Sequence, residues 1–549
     1  MISYSGTRCV LEADMAIERW NPPVELTKQE QLICKHLARV RTLVPFLRRH
    51  RHQLFSDQFQ SELEQMYRDT GAGKPALAPA MMAMATLLQD YLAVSDAELV
   101  KLTAIDLSVQ MVLGHLGSSE AAFSQGAFRE FRVRFVRFDM DRRLLEHTVE
   151  LCKDTKEFDW HKLPKTLRVG IDSAPLEGLG RVEDTFNLLA HAARSVVACA
   201  AKVLDWDMAQ VCAAAGVPLL LEPSIKAALD IDWSDEDQKS EALQLLTGQL
   251  TSLQSWLETH LTDELGKPPL KEHVDTLAQV LKQDLEPDPN GGGQRIREGV
   301  AQDRRISITD PDMRHGRKSK SNLINGYKQH LAADLDRGLV LSCAITLANR
   351  PECEAALDLK TDIDRMGFLI QALYVDRAYI TSPIIGDVLR ARGEIYCKPW
   401  MTKNGDLFAK HQFEINIRDR LVTCPSGLQT LPIEFGATVK FDAATCQTCP
   451  VRSLCTTARP ENGRSLSIAE DEPLQQRMRK LQRTAPGRAE LRRRTGIEHR
   501  LARVTSRQGR RARYRGARNN LFALRRAGSV SNLQVLQRAI EPAVRKIAS

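Results

Sequence analysis

The sequence has no apolar run that approaches the roughly 18–20 residues needed to cross a bilayer. Its first residues, Met1 to Glu18, place charged side chains among the apolar ones and lack the continuous apolar stretch of a secretory signal. We therefore expect a cytoplasmic protein without a membrane partner.

Familiar nucleotide and hydrolase motifs are also missing. No Walker loop, dinucleotide-binding fingerprint or Gly-x-Ser-x-Gly elbow stands in a usable context. The run Gly291–Gly293 lacks the Lys-Ser/Thr of a phosphate-binding loop, and with Pro287 it predicts a linker. Aromatic residues make up only 5% of the chain, against 43% hydrophobic residues, which suits an ordinary globular protein. A length of 549 residues exceeds one compact core, so we expect several folding units.

Positive charge is concentrated at the end of the chain. From Gln475 to Ser549 there are 21 lysine and arginine residues against 3 acidic ones, whereas the rest of the chain is net acidic. A basic segment on an acidic protein favours contact with a polyanion such as nucleic acid, although a solvated helix face gives the same composition.

Two regions read as helical. Residues 26–155 carry apolar residues at helical spacing, with Ser95–Glu98 as a capping box and a Phe128, Phe131, Phe135, Phe138 stripe. This stripe is interpreted as core, with base stacking as the alternative. A second helical region follows Ser173, where Ser234–Asp237 caps a long amphipathic helix.

Between and after these regions the pattern predicts strands. Thr166–Asp172 and Ala372–Asp376 read as strands that each end on an acid, and Arg305–Thr309 as a further strand. Two strands on either side of Asp336–Gly338 predict a hairpin. Alternating strands and helices indicate an α/β sheet covered by helices, whose active sites gather at strand carboxyl ends.

Three acids form the candidate catalytic set. Asp172 and Asp376 each follow an apolar strand, where a carboxylate is costly unless paired or bound to metal. A single Asp in such a place is often a turn former or helix cap. Glu498 stands beside the apolar stripe Ile497, Leu501, Val504 among many arginines, one of which could simply pair with it. Three such carboxylates could bind magnesium ions that activate the attacking oxygen of a reaction and stabilise the leaving oxygen.

These segments, in this order, resemble the DDE transposases of bacterial insertion sequences. Val169–Ser173 looks like the first-Asp strand of that family, Tyr374–Tyr379 like the second, and Arg494–Glu498 matches its Arg-x3-Glu spacing. The resemblance extends to Ile308–Met313 with Gly326–Lys328, to the basic stretch Gly509–Gly516, and to Lys74–Pro79 with Leu92–Glu98.

Some positions depart from the family pattern. The Tyr and Lys of the fuller signature fall on Leu491 and Thr505, and Arg377 and Ala378 replace the usual Lys-Gly. Arg503 or Arg507 could supply the missing phosphate contacts.

The resemblance implies an RNase H-like mixed sheet core and catalytic Asp172, Asp376 and Glu498 holding two Mg²⁺ or Mn²⁺ ions. It also implies a reaction in which the element's ends are cut and joined to target DNA. DNA-contacting residues expected from the basic segment are Arg494, Arg503, Arg507, Arg510, Arg511, Arg513 and Arg515.

The expected organisation has five parts. They are a helical N-terminal domain (1–155, with DNA binding as a hypothesis), a catalytic core (165–185 and 303–420), a helical insert (186–302), a Cys-rich module (421–460) and a basic C-terminal part that completes the core (473–549).

A cysteine cluster precedes the final glutamate. Cys424, Cys446, Cys449 and Cys455 include one Cys-x2-Cys pair and could form a tetrahedral Zn²⁺ site, although a single cysteine stands at each end. Reduced structural cysteines or a redox pair are the alternatives. The cluster resembles one found in a subgroup of these transposases, where its role would be structural or DNA-contacting.

Two other functions fit the same residues. One is a repurposed RNase H-like nuclease that has lost mobility, and the other is a non-enzymatic zinc-bearing DNA-binding protein with structural acids. The transposase interpretation implies double-stranded DNA as partner, association with the nucleoid when bound, and a homodimer, since two DNA ends are handled together.

Overall fold

The structure is a computed structural model that describes residues 17–67, 76–153, 166–289, 291, 293–318, 321–430 and 432–540. Eight helices come first, and the helical prediction for this region is confirmed where the structure describes it. They are α1 (Lys28–Leu37), α2 (Leu43–Leu54), α3 (Asp57–Glu64), α4 (Pro79–Leu92), α5 (Asp96–Ile105), α6 (Leu107–Leu113), α7 (Gln125–Arg137) and α8 (Met140–Lys153). Lys74 and Pro75, quoted for the family resemblance, lie outside the described residues.

Local signals explain where these helices begin and end. Ser95 caps α5 by accepting a hydrogen bond from the Glu98 backbone N–H. The apolar run after Ser95 is two helices instead of one, because the Asp106 carboxylate accepts hydrogen bonds from Ser108 and Val109 and so starts α6. Phe128 and its two helical neighbours in the stripe are buried as predicted, whereas Phe138 lies just past the end of α7 and is 47% exposed.

A mixed six-stranded sheet forms the centre of the molecule. Its strands are β1 (Thr166–Glu177), β4 (Arg314–Arg317), β5 (Leu323–Asp334), β6 (Val340–Leu347), β7 (Leu369–Tyr374) and β8 (Glu394–Tyr396). The order is β4-β5-β1-β7-β8, with β6 also paired to β5. β1, β7 and β8 run parallel, while β5 pairs antiparallel with β1, β4 and β6. Helices α15 (Ala355–Arg365) and α16 (Pro383–Arg390) follow β6 and β7.

Residues 305–309, predicted as a strand, do not form one. The Gln283 side chain donates to the Arg305 carbonyl and accepts from the Arg305 N–H, at 2.9 Å each. The backbone groups of Arg305 are therefore satisfied without a neighbouring strand. The predicted hairpin around Asp336–Gly338 is confirmed as β5 and β6.

The insert after β1 is helical, as predicted, and has its own apolar core. Its elements are α9 (Thr185–Leu204), α10 (Met208–Ala215), α11 (Ile225–Leu229), α12 (Glu236–His260), α13 (Thr262–Leu265), α14 (Leu270–Asp284), β2 (Leu285–Pro287) and β3 (Gln294–Ile296). β2 and β3 pair as a short hairpin where the sequence predicts only a linker. Gly291 and Gly293 lie between the two strands, whereas Gly292 lies outside the described residues, so the linker signal marks the bend of a hairpin.

The remaining chain adds a small region of short elements and four C-terminal helices. These are β9 (Glu414–Asn416), β10 (Leu421–Thr423), β11 (Thr438–Lys440), α17 (Ala443–Gln447), α18 (Arg452–Cys455), β12 (Ser465–Ser467), α19 (Glu472–Arg483), α20 (Ala485–Arg492), α21 (Thr495–Gln508) and α22 (Ala517–Ile540). α22 is buried along most of its length and packs against β6, α8 and α4. Its core residues, including Phe522 and Leu533, share one apolar cluster with the N-terminal helices and one face of the sheet. The fold is therefore mixed α/β and compatible with an RNase H-like core.

Candidate active site

The first two acids lie on neighbouring parallel strands. Gly170 of β1 stands opposite Tyr374 of β7. Asp172 and Asp376 each follow by two residues, so the register carries them to adjacent positions at the same end of these strands. The two strands thus bring together carboxylates that are 204 positions apart in the sequence.

One detail of the prediction is wrong: β1 does not end at Asp172. The strand continues to Glu177 because it keeps pairing with β5, with Asp172 opposite Leu331 and Glu177 opposite Gly326. Asp376 does stand just past its strand, and its Oδ1 accepts a 2.7 Å hydrogen bond from the Arg377 N–H at the start of a 3₁₀ turn. Asp376 therefore caps a turn as well as standing beside Asp172.

Helix α21 carries the third acid towards the first one. Gly170 permits this close packing, because a Cβ atom there would lie 2.8 Å from the Cβ of Ile497. Glu498 is the next residue after Ile497, and its negative charge contributes to raising the pKa of Asp172. The glycine in β1 is thus a requirement for bringing the helix onto the strand that holds the first acid.

Arg494 lies between two of these acids. Its Nη1 is 3.9 Å from Asp172 Oδ1, and its Nη2 donates a hydrogen bond to Glu498 Oε1. Burial is the largest influence on Asp172 and raises the pKa of its carboxyl, while the Ser173 N–H, Arg494 and Lys318 act in the opposite direction. A guanidinium therefore neutralises a pair of partly buried carboxylates in this structure.

A buried polar network supports the site from the other face of the sheet. Tyr379 is fully buried, and its hydroxyl is 2.7 Å from His330 Nδ1, whose Nε2 is 2.8 Å from Thr346 Oγ1. Burial lowers the pKa of His330 to about 3, so the imidazole is neutral at ordinary pH. Lys318 Nζ donates to the Ser173 carbonyl at 2.5 Å.

Sequence reasoning misses Lys318 and His330 as neighbours of this site. His330 forms no metal-ligand spacing with another histidine, so its position in the chain gives no reason to place it here. The usable signal is register: His330 stands opposite Ser173 on β5, next to the first acid. That register is known only once the two strands are paired.

Carboxylate oxygens are the ligands that Mg²⁺ and Mn²⁺ prefer, so Asp172, Asp376 and Glu498 fit such ions in kind. Arg494 is the cation that now stands between two of them, as a metal ion would. Among the described residues, no group of three or more His, Cys, Asp or Glu side chains is arranged to hold a metal ion as it stands.

The four clustered cysteines border one small cavity. Cys424 follows β10, Cys446 lies in α17, Cys449 in the next turn and Cys455 at the end of α18, and all four are half-buried and free. The Ser426 hydroxyl lies 3.1 Å from the Cys449 sulfur and lowers the pKa of that thiol, whereas burial raises the pKa of Cys455. Soft thiolate donors of this kind suit Zn²⁺.

The predicted DNA-contacting arginines fall into three groups. Arg494 lies among the acids. Arg503, Arg510, Arg511 and Arg515 are exposed, and Arg511 also donates to the Leu179 carbonyl at 3.0 Å.

The other two of these arginines face inward. Arg507 donates to Gln534 Oε1 at 2.5 Å and lies 3.7 Å from Asp90 Oδ2, and Arg513 donates to the Arg507 carbonyl at 2.8 Å. Their partners are other parts of the fold.

The segment Ile308–Met313 holds the start of α22. Asp310 Oδ1 accepts hydrogen bonds from the Tyr327 hydroxyl and from the Gly516 N–H at 2.9 Å. Asp312 Oδ2 accepts from the Ala517 N–H at 2.8 Å, which places a carboxylate at the positive end of the helix. These residues, to which the resemblance extends, therefore join the sheet to the C-terminal helix.

None of the helices in the described part of the chain is both long and apolar enough to cross a membrane.

Two sequence profiles of known families match the chain. Residues 35–134, which include α2 to α6 and most of α7, match a transposase domain (DUF772). Residues 430–537, which include the last three cysteines of the cluster and Glu498, match the transposase DDE domain. No curated protein and no solved structure matches the chain. A transposase profile thus matches near each end of the chain, and these two matches support its assignment to the DDE transposases of insertion sequences.

Proposed function

We propose that this transposase cuts DNA at the ends of its element and then joins the freed 3′ hydroxyl to target DNA. Hydrolysis of a phosphodiester would leave the 3′ hydroxyl, and attack by that hydroxyl on a target phosphodiester would form one bond as another breaks. Both steps use the same acids, on an RNase H-like core built by β1, β5, β6 and β7.

A single observation supports this proposal: Asp172 and Asp376 each stand two residues past Gly170 and Tyr374, which are paired in the parallel register of β1 and β7. The alternative interpretation, in which each acid is an independent turn former, does not require them to meet. Asp376 caps a turn, yet Asp172 lies within a strand and caps no helix.

Asp172, Asp376 and Glu498 would hold two Mg²⁺ or Mn²⁺ ions. When bound, such ions activate the attacking oxygen and stabilise the leaving oxygen. The buried Tyr379–His330 network and Lys318 would keep β1 and the turn after β7 in position. Arg494 would move from the carboxylates to a DNA phosphate once those carboxylates hold metal.

Double-stranded DNA is the proposed partner, bound as element ends and as target. The exposed Arg503, Arg510, Arg511 and Arg515 would contact phosphates, and Arg507 and Arg513 would hold the fold beneath them. We propose a dimer, because two ends are handled together, and location at the nucleoid follows from DNA binding. The five-part division of the chain predicted from the sequence is kept in this proposal.

We also propose that Cys424, Cys446, Cys449 and Cys455 hold a structural Zn²⁺. Support comes from their lining of one cavity within a region that has only a small apolar core around Phe413 and Phe441. A metal would add folding free energy to such a region.

The test is cleavage of a supercoiled plasmid that carries the DNA flanking this chain's coding sequence, with Mg²⁺ present. The unaltered chain is compared with Asp376→Asn. Asp358→Asn is the matched control, because Asp358 is an exposed carboxylate on α15. End-specific cuts are expected for the unaltered chain and for the control. Asp376→Asn is expected to lose at least about a hundredfold in rate, as for removal of a group that stabilises charge in a transition state.

Three other outcomes would each reject part of this proposal. Cuts that survive Asp376→Asn would reject this acidic site. Binding to the plasmid without cleavage by either protein would reject the enzyme and favour a DNA-binding protein. Cuts without joining to a second plasmid would favour a repurposed nuclease.

A further inference from the structure

The basic stretch after α21 lies beside β1 at a fixed distance from the acids. The Glu177 N–H donates to the Arg510 carbonyl at 2.9 Å, and the Ala512 N–H donates to the Glu177 carbonyl at 2.7 Å. Glu177 is five residues beyond Asp172 on the same strand, a separation of about 17 Å. Helix α21 gives a similar value, since Gln508 is ten residues beyond Glu498, or about 15 Å along the axis.

Side chains of this stretch divide into an inner and an outer set. Ala512, Arg513 and Tyr514 face the protein. Arg510 and Arg515 are exposed, and neither guanidinium has an ion-pair or hydrogen-bond partner among the described residues. Two unpaired cations therefore face solvent from a segment that the backbone pairing to β1 holds in place.

Helix α7 adjoins the same stretch. The Arg132 guanidinium lies 5.0 Å from the centre of the Tyr514 ring, and Arg518 donates to the Val136 carbonyl at 2.7 Å. Arg129 is one turn before Arg132 and so lies on the same flank of the helix. It is exposed and has no ion-pair partner within the described part of the chain, whereas Arg132 is paired to Asp96. The acid Glu130 is about 100° further round the helix from Arg129, away from that flank.

We propose that Arg129, Arg510 and Arg515 form one surface that holds the backbone of duplex DNA about five base pairs from the phosphate on which the acids act. The separation of about 15–17 Å divided by about 3.4 Å per base pair gives that spacing. The distance of this surface from the cut phosphate rests on the proposed function. The binding of duplex DNA by the surface does not depend on that function. The N-terminal helices thereby contribute to the DNA path through α7.

The first test measures binding to a labelled duplex of arbitrary sequence in EDTA, across a range of salt concentrations. Arg129→Ala with Arg515→Ala is expected to reduce the magnitude of the slope of log K against log salt by about 1.8, or about 0.9 for each phosphate that is no longer neutralised. Arg129→Lys with Arg515→Lys is expected to keep the slope, because lysine also neutralises a phosphate.

Arg392→Ala is the matched control. Arg392 is an exposed arginine just before β8, at the end of the parallel strands opposite to the acids. The slope of log K against log salt for Arg392→Ala is expected to equal that of the unaltered chain. An unchanged slope in the Arg129, Arg515 double variant, or an equal loss in Arg392→Ala, would overturn the proposed surface.

A second test places the surface relative to the cut. Neutral methylphosphonates are set one at a time along an end-containing duplex whose cleaved bond is known from the plasmid experiment. Weakened binding is expected about five base pairs from that bond for the unaltered chain, and no further weakening there for the double variant. The proposed spacing would be overturned if methylphosphonates weakened binding only at the cleaved phosphate. It would also be overturned if they weakened binding equally in the unaltered chain and in the double variant. If the plasmid shows no cleavage, the proposed function fails and the slope measurement still decides the surface.

Discussion

At the scale of single residues, Arg494 connects the family signature to the chemistry of the site. It matches the arginine of Arg-x3-Glu and lies between Asp172 and Glu498. Of the two arginines that could substitute for the missing signature lysine, Arg503 is exposed and Arg507 is turned toward Gln534 and Asp90. Arg503 is therefore the better candidate for the phosphate contact.

We predict that Arg494→Gln strengthens Mn²⁺ binding. The guanidinium now competes for carboxylate oxygens that the ion needs, and a partly exposed ion pair contributes up to about 1 kcal/mol. The dissociation constant should fall about two- to fivefold, as measured by calorimetry or by the paramagnetic resonance of free Mn²⁺. Both readouts are independent of DNA cleavage.

Arg493→Gln is the control for this measurement. Arg493 is the neighbouring residue and pairs with Glu490 and Asp336, without contact to the candidate ligands. Its Mn²⁺ affinity should match that of the unaltered chain. Equal or weaker binding in Arg494→Gln would show that the guanidinium does not compete with the ion.

At the scale of elements, the cysteine-bearing region has the least apolar core of its own. Short strands β9 to β12 and helices α17 and α18 enclose seven buried apolar residues, and the four thiols line an adjoining cavity. Such a region gains most from a bound metal, because little other burial offsets its loss of chain entropy.

We predict that the purified chain contains Zn²⁺ and that Cys446→Ser with Cys449→Ser removes it. Serine oxygen is a much poorer Zn²⁺ ligand than a thiolate, and two of four ligands would be removed. Zinc content is measured by atomic absorption, and limited proteolysis between residues 421 and 460 should accelerate in the variant.

Cys353→Ser serves as the comparison, since Cys353 is half-buried, free and outside the cluster. Its zinc content should be unchanged. Full zinc content in the double variant, or none in the unaltered chain, would favour reduced structural cysteines.

At the scale of the whole molecule, a buried ionic cluster joins the N-terminal helix α8 to the C-terminal helix α22. Asp141 of α8 is 1% exposed and accepts hydrogen bonds from Arg518 and Arg525 of α22. Arg525 also lies 3.8 Å from Asp362 of α15, so the cluster reaches the helices that cover the sheet. N-terminal and C-terminal helices are therefore packed as one body around the sheet.

We predict that Asp141→Asn lowers the free energy of unfolding by about 2 kcal/mol, because the buried carboxylate loses its charged hydrogen bonds while Arg518 and Arg525 keep only their ion pairs to Asp139 and Asp362. Urea denaturation followed by circular dichroism measures this change. Glu130→Gln, an exposed acid on α7, should change it by less than about 0.5 kcal/mol. A decrease below about 1 kcal/mol for Asp141→Asn would mean that the cluster does not couple α8 to α22.

The sequence by itself determined the helical regions, the strand character before each Asp and the composition of the basic tail. It did so because apolar periodicity, capping residues and charge are local properties. The same locality explains the errors. The sequence predicts that β1 ends at Asp172, because the pairing with β5 that extends the strand cannot be seen in the β1 residues alone. It also predicts a strand over residues 305–309, because the hydrogen bonds that Arg305 makes with Gln283 join residues that are distant in the sequence.

Only the tertiary structure decided which of these residues meet. The register of β1 against β7 carries Asp172 and Asp376 to the same end of the two strands, and Gly170 lets α21 pack closely against the strand that holds Asp172. Arg494, Arg507 and Arg513 all belong to the basic segment, yet the first lies between two acids and the other two face inward. Such assignments depend on contacts between segments tens to hundreds of residues apart, which hydrophobic burial and strand pairing fix only in the folded chain.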